Sequence, residues 1–194
     1  MKIQHFFTMA LLQLSLIIST TSLQASENVI IVKGGTYSFG DTTQIVDTFP
    51  SNVSATFETE GGLTGIEYDH VFEHFSIGGG IEKYSLNYTT SQGGSGTVDV
   101  SHLMFNGKYY FLDSAFKPFV GASAGVAITD FTGSVIGNSA GLAVAVSAGF
   151  RYQFSVVGLY VEYKNYVLAD TEDSFDSEVD VAGDGVFGGI SFSF

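Results

Sequence analysis

Alternation with a period of two, sustained over long segments, limits this chain more than any other feature. In GLAVAVSAGFRYQF, Leu142, Val144, Val146, Ala148, Phe150, Tyr152 and Phe154 alternate with Gly141, Ala143, Ala145, Ser147, Gly149, Arg151 and Gln153. Successive side chains of a strand point to opposite faces, so the stretch forms a two-faced strand and gives no helical stripe. LMFNGKYYF repeats the pattern, with Leu103, Phe105, Gly107, Tyr109 and Phe111 on one face and Met104, Asn106, Lys108 and Tyr110 on the other. Similar segments run over 29–40, 63–72, 75–88, 120–128, 159–167 and 186–194, giving eight candidate strands. Several are long enough to cross a bilayer when tilted, which takes roughly ten residues.

Composition agrees with strands: 24 Gly, 2 Pro and 14% aromatic residues do not suit a helical bundle. Cysteine is absent, which excludes a disulfide framework, a thiolate nucleophile, a Cys-based zinc site and a lipoprotein anchor.

At the start, Lys2 and His5 precede the apolar run FFTMALLQLSLII, and Leu23-Gln24-Ala25 ends on a small residue. The run is interrupted by Thr8, Gln13 and Ser15 and is shorter than the roughly 20 residues a spanning helix needs. Residues 1–25 are therefore expected to be a cleaved secretory signal peptide, and 26–194 the functional domain. Removing Lys2 with the leader leaves six Lys and Arg against 20 Asp and Glu, a formal charge of −14. Such a surface disfavours nucleic acid, and no motif for it is present.

The connections alternate in length. Those at 73–74, 112–118 and 155–158 are short, whereas 41–62, 89–96, 129–140 and 168–185 are long and polar. An even-stranded meander with short turns at one end and long loops at the other is the pattern of an outer-membrane barrel. The competing architecture is a soluble secreted barrel of the lipocalin type. Aromatic residues near strand ends favour the membrane version, because lipid interfaces collect them: Tyr37, Phe39, Tyr109, Phe111, Tyr152, Phe154, Phe192 and Phe194 are the expected girdles.

KPFVGASAGVA (117–127), FNGKYYF (105–111), VEYKNY (161–166) and the terminal GGISFSF carry a resemblance spanning nearly the whole mature chain. The sequence resembles the small eight-stranded bacterial outer-membrane barrels, of the type of the OmpA membrane domain and the opacity-like surface proteins. The resemblance implies an all-β, eight-stranded antiparallel up-and-down transmembrane barrel over 26–194; because the sequence stops at the last strand, no peptidoglycan-binding domain is expected after it. It also implies that the closing strand, through Gly189, Phe192 and Phe194, carries the signal read by the outer-membrane assembly machinery. An adhesin-like surface role through the long loops follows from the resemblance and from no motif.

With the apolar parity facing lipid, Glu67, Glu82 and Glu162 point inward together with Lys108, Arg151 and Lys164. Buried ions cost several kcal/mol each unless paired, so a neutral network bridging the lumen is expected. Lys83 and Lys117 fall near opposite lipid interfaces, where they can snorkel to head groups. The wall formed by Gly121, Ser123, Gly125, Ala127, Ala143, Ala145, Ser147 and Gly149 lacks bulk. Either Met104, Tyr110, Tyr160 and Tyr166 lean across to fill it or a small cavity lies there.

The residues bear on three further activities. A narrow ion or small-solute channel would use Lys108 or Arg151. A lipid A-modifying enzyme would need a nucleophile and base near the outer end, where Asp99, Ser101 and His102 lie; the adjacent Ser101 and His102 point to opposite faces, and His102 is expected at the surface. No enzyme activity and no cofactor is expected. The acidic segment with Asp170, Glu172, Asp173, Asp176, Glu178 and Asp180 lacks the spacing and glycine of an EF-hand and is expected to be a solvated loop with at most weak divalent-ion binding. Expected partners are outer-membrane lipids and lipopolysaccharide, the assembly machinery during biogenesis and an unidentified surface ligand, with the chain a monomer.

Overall fold

The structure, a computed structural model, describes residues 26–40, 43–48, 51–132, 139–172 and 178–194. The expected signal peptide lies outside these residues, as do Asp173 and Asp176 of the acidic segment.

Among the described residues eleven strands form: β1 (Ser26–Phe39), β2 (Thr43–Thr48), β3 (Ser51–Phe57), β4 (Glu60–Phe72), β5 (Phe75–Thr90), β6 (Ser95–Tyr110), β7 (Phe116–Thr132), β8 (Ser139–Gln153), β9 (Val157–Glu172), β10 (Glu178–Asp180) and β11 (Gly183–Ser193). Eight of them make the barrel, each paired antiparallel to the next in the order β1, β4, β5, β6, β7, β8, β9, β11, and β11 returns to β1. This is the expected eight-stranded up-and-down barrel. Closure leaves the barrel wall no unpaired edge.

The ladder registers fix its shape. From Val32, one hydrogen-bonded row runs through Ile66, Ile81, Leu103 and Val126 to Leu142 on β8. The opposite way round it runs through Ile190 and Leu159 to Tyr152, ten residues along the same strand. A stagger of ten over eight strands sets the tilt at about 42° and the radius at about 8 Å. Such a lumen has room for side chains and little else.

The strands extend beyond their expected outer ends. The connection expected as a long loop at 89–96 is a tight turn, with pairing continuing to Thr89↔Ser95 and Gly93 at φ +84°. The first long connection forms the hairpin β2–β3, and β3 continues the ladder on β5 from Phe57↔Tyr88 to Ala55↔Thr90. β10 pairs back on β9.

The extra length has a physical cause: alternation continues while the apolar parity changes sides. On β5, Phe75 and Ile81 face outward, but Tyr84, Leu86 and Tyr88 face inward. On β4 the change falls between Ile66 and Leu63, on β6 between Leu103 and Val100, and on β7 between Ile128 and Phe131. Below the change the barrel is apolar outside, as a lipid-facing wall must be. Above it the barrel is apolar inside, like a water-soluble one. Tyr37 and Phe39, expected in an outer girdle, accordingly lie inside at 0% and 7% exposure. Tyr109, Phe111, Tyr152, Phe154, Phe192 and Phe194 are exposed, and these residues, with Phe75 and Phe116, ring the short-turn end.

Candidate functional site

Inside the barrel four layers follow one another. At the outer end, Tyr37, Leu63, Tyr84, Leu86, Tyr88 and Phe131 belong to a packed apolar cluster, closed from above by Phe57 of β3 and Val181. Tyr37 and Tyr84 stack at 3.9 Å, and both hydroxyls donate to the Val181 carbonyl, at 2.5 and 3.2 Å. A second cluster of Val29, Ile31, Val71, Tyr110, Phe119 and Tyr160 lies toward the short-turn end.

Between the two clusters sits a charged cage. Lys33 on β1 places its ammonium 2.9 Å from Glu67, 2.7 Å from Glu82 and 2.7 Å from Glu162, so carboxylates from three strands converge on one cation. Lys164 donates to Glu82 at 2.6 Å, and Tyr166 donates a hydrogen bond to the other oxygen of the same carboxylate. Lys108 bridges Glu67 and Asp69, the latter at 2.8 Å. Rings complete the coordination: the Lys33 ammonium is 4.3 Å from the Phe187 centroid and that of Lys108 5.2 Å from Tyr160. Glycine makes the approach of Lys33 possible. Gly189 is paired with Lys33, and a Cβ there would stand 2.9 Å from its Cα and 2.4 Å from the Val32 carbonyl oxygen.

All six residues expected in the interior network are buried. Five of them, Glu67, Glu82, Lys108, Glu162 and Lys164, join the cage. Arg151 does not: it is held by Glu27 at 2.7 Å below the lower cluster, where Lys117 also approaches Glu27 at 3.5 Å and so turns partly into the mouth. Lys33 and Asp69 escaped the sequence reading, yet Lys33 is the hub. The available signal was parity, since Lys33 shares a face with Val29 and Ile31, and the same parity puts Asp69 beside Glu67.

The wall of small residues on β7 and β8 is filled, the first of the two expected arrangements. Met104, Tyr110, Tyr160 and Tyr166 are all buried, Phe119 stacks on Tyr160 at 5.5 Å, and a Cβ on Gly149 would come within 2.8 Å of the Phe119 ring.

His102, expected at the surface, lies inside the barrel. It is 0% exposed, stacked on Tyr166 at 4.5 Å, and neither ring nitrogen has a hydrogen-bond partner among the described residues. The strand that carries it begins further out than expected, so the inward parity buries it. Ser101 faces outward beside it, away from the imidazole.

Glu67, Glu82 and Glu162 present oxygens within 4.8 Å of one another, the spacing of a metal cage. Here the Lys33 ammonium holds that position.

No protein-family model and no curated protein matches the chain. Solved structures do. Neisserial surface protein A is similar over 88% of this chain and 100% of its own, with a TM-score of 0.63 at 13% identity. The N-terminal β-barrel domain of Pseudomonas aeruginosa OprF is similar over 88% of this chain and 98% of its own, with a TM-score of 0.53 at 12% identity. The fold is that of the small eight-stranded outer-membrane barrels. At these identities the likeness concerns the fold alone.

Proposed function

We propose that the chain is an outer-membrane protein whose barrel is a sealed anchor and whose outer strand extensions meet a partner at the cell surface. The observation that carries this is the distribution of charge. Of the six cations in 26–194, Lys33, Lys108, Arg151 and Lys164 are buried, and Lys117 lies at the short-turn mouth. Lys83 is the one left on the outer half. Against it stand the exposed Glu58, Glu60, Asp99 and Asp130 and, in sequence, the acidic segment between β9 and β11. An outer surface of one sign steers and selects partners of the other, so the ligand favoured is a cationic protein surface.

The barrel carries no reaction in this reading. Two apolar clusters enclose the charged cage, which speaks against conduction, and Ser101 and His102 on opposite faces offer no nucleophile and base.

Adhesion tests the proposal. Cells displaying the protein should bind a surface coated with a basic protein in a salt-sensitive manner, and Glu58→Gln, Glu60→Gln, Asp130→Asn together should weaken binding without lowering the amount inserted. Equal adhesion with and without the protein would refute it.

A further inference from the structure

The parity change marks where lipid ends on each strand, and the heights differ round the barrel. On β1, β4, β5 and β6 the uppermost outward apolar residues are Val32, Ile66, Ile81 and Leu103, which lie on one hydrogen-bonded row. Because strands tilt, each step along a row climbs about 3 Å, and each residue along a strand advances about 2.5 Å on the axis. On β7 the apolar face continues past that row to Ile128. From Phe116 to Ile128 the β7 wall is apolar for about 30 Å, whereas β4 from Phe72 to Ile66 manages about 15 Å, against a band of roughly 25 Å in such barrels.

The polar side chains above the short wall therefore stand level with hydrocarbon-facing ones opposite. Thr64 lies at the height of Ala124, and Ser85 at that of Ile128. There the wall carries an open groove of about 750 Å³, whose lining includes Gly34, Gly62, Thr64, Lys83, Ser85 and Ser101. Its floor is bare, since a Cβ on Gly62 would meet nothing within 4 Å among the described residues. Asp99 also lines it and accepts a hydrogen bond from Ser85. Lys83, exposed, is the groove's cation.

We infer that this groove is a docking site for lipid head groups, and that outer-leaflet phospholipid or glycolipid phosphates descend along the β1–β4–β5–β6 wall to the level of Ile81, where Lys83 meets them. Hydrocarbon against Thr64 and Ser101 would leave their hydroxyls unsolvated, and against the Ser85–Asp99 pair it would strip water from a carboxylate. A bilayer thinned on this side gives those hydroxyls head groups and water, and thinning costs only fractions of a kcal/mol per Å of mismatch. Phosphate is the complementary chemistry for Lys83.

The inference rests on the barrel being membrane-inserted, and one pair of probes separates the two. The chain has no cysteine, so Thr64→Cys and Ala124→Cys, both at outward exposed positions, can each carry a single fluorophore. In phosphatidylcholine vesicles, iodide should quench the Thr64 probe several-fold more than the Ala124 probe, while a mid-chain spin-labelled lipid should do the reverse. Lipid quenching of both would overturn the inference and leave insertion intact; iodide quenching of both would overturn insertion itself. Shielding of the Thr64 probe from both quenchers would put a protein partner in the groove, which also overturns it. In vesicles containing phosphatidic acid, a head-group-labelled phosphatidic acid should quench a probe at Ser85→Cys more than the phosphatidylcholine analogue does, and Lys83→Gln should abolish the difference. Persistence of the difference in Lys83→Gln would refute the assignment of phosphate to Lys83.

Discussion

Replacing Lys33 with methionine keeps most of its volume and removes the cation on which three buried carboxylates converge at 2.7 to 2.9 Å. The native cage sets Glu67, Asp69, Glu82 and Glu162 against Lys33, Lys108 and Lys164; the variant would set the same four against two. Glu162 suffers most, because its remaining ion-pair contact, to Lys164, is at 3.9 Å. Removing one partner of a buried ion pair typically costs about 3–5 kcal/mol, most of it the exposure of an uncompensated charge to a dry interior. Lys33→Met is expected at the upper end of that range. The assay is urea unfolding of the refolded protein in lipid vesicles, followed by the gel shift between folded and unfolded barrel. Glu60→Gln, which alters an exposed carboxylate at the outer rim, should change stability by no more than about 0.5 kcal/mol. The double variant Lys33→Met/Glu162→Gln removes the most isolated charge as well and should recover a large part of the loss. A Lys33→Met protein within about 1 kcal/mol of the parent would refute the reasoning, since the cage would then contribute little to the folded state.

Gly189→Val should destabilise the barrel by about 1–3 kcal/mol in the same assay, because its Cβ would overlap the Val32 carbonyl and the Lys33 backbone; Gly62→Ala, with open space, should stay near neutral. Deleting Phe194, the 68% exposed end of the closing strand, should lower the amount of inserted protein in cells while leaving the stability of what does insert little changed; wild-type insertion would remove the case for an assembly signal at Gly189, Phe192 and Phe194. In planar bilayers the protein should give no discrete conductance steps, and Lys108→Gln should add none; steps that change with Lys108 would revive the channel reading. Expression should leave the lipid A mass profile unaltered, and a change abolished by His102→Ala would overturn the non-enzymatic reading.

How much of this was legible in the sequence depends on which property of the alternation is used. Its period gave the strands: the eight segments lie within the eight barrel strands or run a residue or so beyond their ends, as Gly40, Phe111 and Phe154 do, and the closing register needs only that each hairpin continue. The inward set Glu67, Glu82, Lys108, Arg151, Glu162 and Lys164 followed from parity alone, because one residue of slip would turn every one of them into lipid. What parity could not supply is the partner across the lumen, since Lys33 meets Glu162 over 129 positions of sequence and through a stagger set by closure. The misplaced residues share a different cause. Tyr37, Phe39 and His102 lie above the level where the apolar parity changes sides, and a single in–out assignment carried along the whole strand turns their surroundings inside out. That change is itself written in the sequence. In FSIGGGIEKYSLNY the large apolar residues occupy odd positions through Ile81 and even positions from Tyr84, and in VDVSHLMF they switch between Val100 and Leu103. A strand that crosses one solvent boundary has no reason to keep its phase, because the outside becomes water while the inside must still be packed. The switch is thus the sequence signature of the membrane surface, and its position on each strand carries the slope on which the head-group site depends.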